Sequence, residues 1–124
     1  MALILGLFFS SFLIPRPLSE TERNELGLVL FDSPRPLYDF EMQDQNGEPV
    51  NLESLKGSWN LLFFAFTSCP DICPTTLSLV SKAYSELEMP VRIIMVTVDP
   101  DRDSFEILKN YLASFNEDFI GYRG

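Results

Sequence analysis

Residues 59–98 read WNLLFFAFTSCPDICPTTLSLVSKAYSELEMPVRIIMVTV, and the order of patterns within them decides the fold. Trp59 to Phe66 is a nearly continuous apolar and aromatic run, the composition of a strand covered on both faces. Val91 to Val98 is a second such run, rich in β-branched residues. Between them a helix over 74–87 would carry Leu77, Val80, Tyr84 and Leu87 on one stripe. Strand, helix, strand with buried strands predicts a right-handed βαβ unit in a parallel sheet. Downstream, Asp103 and Glu106 predict a capping-box-like start to a second helix, with Phe105, Leu108, Leu112 and Phe115 as its apolar face. Upstream, Tyr38 to Met42 alternates, Asn46-Gly47 supplies a two-residue turn, and Pro49 to Leu52 returns as a hairpin partner. The predicted fold class is therefore α/β, an N-terminal β-hairpin followed by βαβα. Asp118-Phe119-Ile120 opens a possible further strand, and the stop at Gly124 predicts an incomplete domain with a bare sheet edge.

Composition narrows the chemistry. The chain has 124 residues, 46% hydrophobic and 22% charged, which is the balance of one packed domain. Eighteen acidic residues against nine basic ones leave a net charge of −9, with no basic stripe for a phosphate backbone. Nucleic-acid binding is thereby disfavoured. There is no histidine, which excludes Ser-His-Asp and Cys-His catalysis, His-ligated zinc and His-ligated haem. Two cysteines exclude a disulfide-dense framework and any four-cysteine metal site.

Met1 to Ile14, MALILGLFFSSFLI, carries no charge but falls short of the roughly 17–25 residues of a full bilayer span. It lacks the basic start and small-residue cleavage site of a signal peptide, and Pro15-Arg16-Pro17 stops it. Residues 1–17 are thus expected to form a hydrophobic anchor or export segment, and 18–37 a tether in which Ser19 and Glu22 cap a short turn. Residues 38–124 form the domain, placed outside the cytoplasm where a cysteine pair can be oxidised.

The pair itself is Cys69-Pro70-Asp71-Ile72-Cys73-Pro74, between the first buried strand and its helix. Pro74 suits the first helical position, which makes Cys73 the expected N-cap and leaves 69–72 as a turn. Both sulfurs would then face the unpaired amides and positive end of the helix, a field that favours thiolate. Two close thiolates suit a soft ion such as Cu(I), or close to a disulfide. The spacing is one residue longer than the C-x-x-C of a thioredoxin-type enzyme. Neither cysteine has the upstream threonine of a peroxiredoxin-type site: Phe66 and Pro70 stand there instead.

The segment from Phe66 to Thr76, FTSCPDICPTT, resembles the copper-site segment of the Sco/SenC family. Val96 to Asp103, VTVDPDRD, is similar to that family's stretch after the following strand. Pro34 to Leu37, Asn46-Gly47, Leu52 to Gly57 and Phe119 to Gly124 add to the likeness, which covers about residues 26–124. The resemblance implies a thioredoxin-like fold and a membrane-anchored copper chaperone that delivers copper to the CuA subunit of cytochrome c oxidase. The domain would face the periplasm or the equivalent mitochondrial compartment. It implies Cys69 and Cys73 as copper ligands and Asp99 as an aspartate near the site, which could equally be a turn residue before Pro100. Asp71, between the cysteines, reads as a solvated turn carboxylate or as a group that tunes their charge, and Arg102 and Asp103 as surface and capping groups. The family's third ligand is a downstream histidine, which this chain does not contain. The chain thus reads as the amino-terminal part of such a protein.

Two other readings stand beside a non-enzymatic chaperone. One is a thiol–disulfide reductase that keeps oxidase cysteines reduced through the same Cys69 and Cys73, with Cys69 as the attacking thiolate. The other is a truncated, non-functional fragment.

Overall fold

The computed structural model describes residues 16–124. The anchor expected over 1–17 lies almost entirely outside them. Among the described residues no helix is long and apolar enough to cross a membrane.

The chain divides into two compact units at Pro36–Leu37. The described part of the first holds helix α1 (Glu20–Glu25), started by the expected cap. Ser19 Oγ accepts from the Glu22 amide at 3.3 Å, and the Ser19 amide donates to Glu22 Oε2 at 2.8 Å. Gly27 ends it at φ +71, a conformation open to glycine.

The second unit is a five-stranded sheet: β1 (Glu41–Asp44), β2 (Pro49–Asn51), β3 (Trp59–Ala65), β4 (Val91–Thr97) and β5 (Ile120–Arg123). Helices α2 (Ile72–Glu86) and α3 (Phe105–Ala113) provide the crossovers. The spatial order is β2-β1-β5-β4-β3. Strands β3, β4 and β5 run parallel, in register Phe63↔Met95 and Met95↔Gly121, while β5 pairs antiparallel with β1 at Asp44↔Tyr122. The result is a thioredoxin-like α/β arrangement, as the βαβ reading and the resemblance predict. Strand β5 realises the run that begins at Asp118 and takes the central place.

The hairpin forms with a longer turn than expected. Residues 45–48 bridge β1 and β2, Asp44 Oδ1 accepts from the amides of Asn46 and Glu48, and Gly47 sits at φ +81. A 3₁₀ turn at Leu52–Leu55, capped by Asn51, follows β2.

Two cores lie on opposite faces. On one, Leu77 of α2 and Leu108 and Leu112 of α3 pack on Ala65, Ile93 and Met95, with Phe119 beneath. Of the predicted stripes, Leu77, Val80 and Tyr84 of α2 and Leu108, Leu112 and Phe115 of α3 and its end face this core, whereas Leu87 caps α2 and is 47% exposed, and Phe105 lies instead under the Arg123 guanidinium. Gly121 is where α3 meets the sheet: a Cβ there would stand 2.6 Å from Leu108. On the other face, Leu55, Ile94, Val96 and Tyr122 form a smaller cluster.

Strand β3 departs from expectation. It is an edge strand, and Phe64 is 72% exposed. Its apolar run predicts a strand covered on both faces, but both large helices pack on one face. The other is met by Phe40, Leu55 and their neighbours, beside an apolar hollow of about 280 Å³ lined in part by Leu62, Phe64 and Val96.

Candidate functional site

The cysteines sit where β3 gives way to α2, at the carboxyl ends of the parallel strands. The amide of Cys69 donates to the Phe66 carbonyl at 3.3 Å, closing a turn after β3. Helix α2 starts earlier than its proline predicts. Its N-cap is Asp71, so Cys73 is the second helical residue and Pro74 the third. The physical reason is simple. The N-cap and first three amides of a helix have no internal partner, so a proline at the third position forfeits no bond. The first intrahelical bond runs from Thr75 N to Asp71 O at 3.2 Å.

This earlier start separates the two sulfurs in environment. Cys73 lies one turn before Leu77 on the buried face of α2 and belongs to the core cluster. Cys69 precedes the helix and is half-buried; both are free thiols. The field at the helix start was expected to favour thiolate at both positions. It does so at one. The Cys73 thiol, the Cys73 amide and, more weakly, the amides of Asp71 and Ile72 hold Cys69 below the ordinary thiol range. Burial, and then the proton shared with Cys69, push Cys73 above it, with the Phe66 amide acting the other way. The pair is thus a half-buried thiol held below the ordinary range, backed by a buried thiol held above it.

The loop after β4 is bound to the cysteine loop by Asp103. The sequence pattern predicts a capping role for this residue, but Ser104 is the N-cap of α3, its Oγ accepting from Ile107 N at 3.3 Å. Asp103 is fully buried instead. Its Oδ1 accepts from Thr67 Oγ1 and its Oδ2 from Thr97 Oγ1, both at 2.5 Å, and the Thr67 amide donates to the same carboxylate at 3.1 Å. A carboxylate can be buried at acceptable cost when several donors satisfy it in this way. Thr67 lies two residues before Cys69, so Asp103 fixes the base of the cysteine turn.

Asp99 lies in that same loop. Its carboxylate accepts from Arg102 Nε at 2.6 Å, and its carbonyl accepts from the Arg102 and Asp103 amides. Arg102 is an exposed surface group, as read. Among the described residues no three His, Cys, Asp or Glu side chains come together as a metal-binding group. Cys69 and Cys73 therefore offer two sulfur donors without Asp99 as a third. Two thiolates suit a soft monovalent ion such as Cu(I), and Cu(II) would require further nitrogen or oxygen donors. Asp71 stands at the N-cap without a side-chain cap bond.

Sequence reasoning missed Thr67, Thr97 and Tyr111. The threonines had a faint signal, a hydroxyl at the end of each apolar run. Tyr111 sits on α3 where the periodic pattern marks no special place, yet it packs against the core that holds Cys73.

A family model described as SCO1/SenC matches residues 33–124. An SCO2-like protein of Rickettsia felis is 45% identical over 89 residues, covering 69% of this chain and 43% of that protein. The structure of Bradyrhizobium japonicum ScoI with copper bound matches at TM-score 0.62 and 43% identity, over 70% of this chain and 57% of that one. BsSco, a member of the Sco family of cytochrome c oxidase assembly proteins in which a disulfide switch is identified, matches at TM-score 0.58 and 35% identity, over 70% and 54%. The chain thus spans about half the length of these relatives. A family match over residues 33–124, with copper-bound and oxidase-assembly relatives of similar fold, places the chain in the SCO1/SenC family.

Proposed function

We propose that the chain carries the two-sulfur half of a copper metallochaperone site, with Cu(I) as cargo held between Cys69 and Cys73. The observation that carries this reading is the pairing of a half-buried sulfur of lowered pKa with a buried one, at the mouth of a parallel sheet. The copper bound to the Bradyrhizobium relative supports it. In this reading residues 1–17 anchor the protein, 18–37 tether it, and 38–124 present the site on the periplasmic or equivalent mitochondrial side. Asp99 lies near the site and acts on it indirectly, through the loop that Asp103 holds. Copper leaves by ligand exchange to the CuA-bearing subunit of cytochrome c oxidase, and the net charge of −9 favours approach to a basic patch. The test is Cu(I) stoichiometry by competition with a chromophoric chelator. Wild type retains one equivalent, whereas Cys69→Ser and Cys73→Ser lose it; stoichiometric retention by the double variant would overturn the reading.

The asymmetry of the pair favours thiol–disulfide exchange as a second reading. Cys69 thiolate attacks one sulfur of a partner disulfide, forming a mixed disulfide and releasing one partner thiolate. Cys73 then loses its proton, attacks Cys69 Sγ and releases the second. The partner gains two electrons and the pair closes as a disulfide. A reducing midpoint potential together with transfer to an oxidase-derived dicysteine peptide would support it, and no exchange would reject it.

A further inference from the structure

The two edges of the five-stranded sheet differ in kind. Strand β2 has three residues, begins with Pro49 and follows Glu48, the short, proline-marked sort of edge that resists pairing. Strand β3 has seven residues, and 59–66 contain no proline and no charge. Among the described residues it pairs with β4 alone, so one side of its backbone has no ladder. Its large side chains are open as well: Trp59 is 71% exposed, Phe64 72%, Leu61 45% and Leu62 39%. A long, uncharged edge of this kind is a template for one more strand.

We propose that this strand is β3 of a second copy, joined antiparallel about a two-fold axis so that the five strands of each copy form one continuous sheet. The net charge of −9 opposes close approach of two copies, and the uncharged β3 run is where a copy meets no like charge. Symmetry then fixes the arrangement. Opposed side chains of an antiparallel pair share a face, so a two-fold seam sets odd-numbered residues against odd and even against even. The register that overlaps the whole strand puts Leu62 against its own copy, Leu61 against Phe63 and Trp59 against Ala65. Leu62 and Phe64, which line the apolar hollow, therefore adjoin the same residues of the copy on one face. Helices α2 and α3 of both copies lie on the other. The four exposed side chains leave on the order of 500 Å² per copy. Two copies thus approach the roughly 1,000 Å² of a specific interface before the backbone ladder is added. The cysteine turns follow the carboxyl ends of the two β3 strands, so they fall at opposite ends of the seam and stay open. The dimer is therefore independent of the chemistry that the sulfurs carry.

The test is sedimentation equilibrium of the full chain at a fixed concentration of mild detergent, read beside the fluorescence of Trp59, the only tryptophan. Mass should double across the micromolar range, and Trp59 emission should shift to the blue over the same range. Doubling without that shift would mean a contact through another surface and overturn the inference. A monomer throughout would overturn it too, and leave the edge to a different chain. Phe64→Lys sets a charge on the seam at an exposed position. It should abolish both changes and leave the melting temperature unchanged at dilutions where wild type is monomeric. A folded Phe64→Lys protein that still dimerises would reject the seam. Should that variant fail to fold, Leu62→Cys in a Cys69→Ser, Cys73→Ser background decides. On addition of diamide, the two thiols at position 62 should close to one disulfide while the diamide takes up both hydrogens. Leu79→Cys, on the exposed side of α2, is the control and should not link. Equal linking by the two variants, or none, rejects the pairing.

Discussion

Cys69 and Cys73 have the same side chain and differ in what surrounds it. Thiol reactivity follows the thiolate fraction, so the lowered pKa of Cys69 and the raised pKa of Cys73 predict ordered modification. At neutral pH iodoacetamide should label Cys69 first, as read by peptide mass spectrometry, and Cys73 should follow only as pH rises above the ordinary thiol range. Equal rates at both positions would contradict the asymmetry. Asp103 makes a second prediction at this scale. Asp103→Ala strands the Thr67 and Thr97 hydroxyls and the Thr67 amide in a buried place, which should cost about 2–4 kcal/mol. Chemical denaturation measures it, and a loss below about 0.5 kcal/mol would show that the network holds little. The cysteine motif was legible because prolines and spacing mark it in one dimension. Asp103 was not legible, because its partners are 36 and 6 residues away and only the parallel sheet brings them to one point. A D-S-x-E pattern invites a capping reading, and the adjacent serine takes that role instead.

The elements were read well where periodicity is strong and less well where burial depends on neighbours. Helix α3 shows the agreement, with Leu108 and Leu112 fully buried on the predicted stripe. Strand β3 shows the limit, because an apolar run records the composition of a strand and not what packs on it. The close approach of α3 to β5 at Gly121 was equally invisible. Gly121→Ala should push its Cβ against Leu108 and Leu112 and cost about 1–3 kcal/mol by overpacking. The melting temperature reads this directly, and a variant as stable as wild type would mean that α3 shifts freely.

For the molecule as a whole, proton linkage has a definite sign. Cys73, Tyr111 and Tyr122 all have pKa values raised by burial in the fold, so their neutral forms stabilise it. That contribution is full below the unfolded-state values and is lost as pH rises through the folded ones. Cys69, with its lowered pKa, acts in the opposite sense. The Cys69 contribution is complete once pH passes the ordinary thiol value, so above it the three raised groups alone act and the melting temperature declines from about pH 9 upward. A scan from pH 7 to about pH 11 checks it, and replacing Cys73 by Ser should flatten the first part of the decline.

The sheet order also governs how the domain can be made. Strand β5 is the last of the five to leave the ribosome, yet it is the central one, hydrogen-bonded to β1 on one side and β4 on the other. Until residues 120–123 emerge, the β1–β2 hairpin and the β3–β4 pair are two half-sheets with no ladder between them. The cysteine turn is complete long before that moment, so its thiols are presented to the surroundings on a half-assembled scaffold. Synthesis thus opens an interval in which the pair is present but the sheet that positions it has not yet joined.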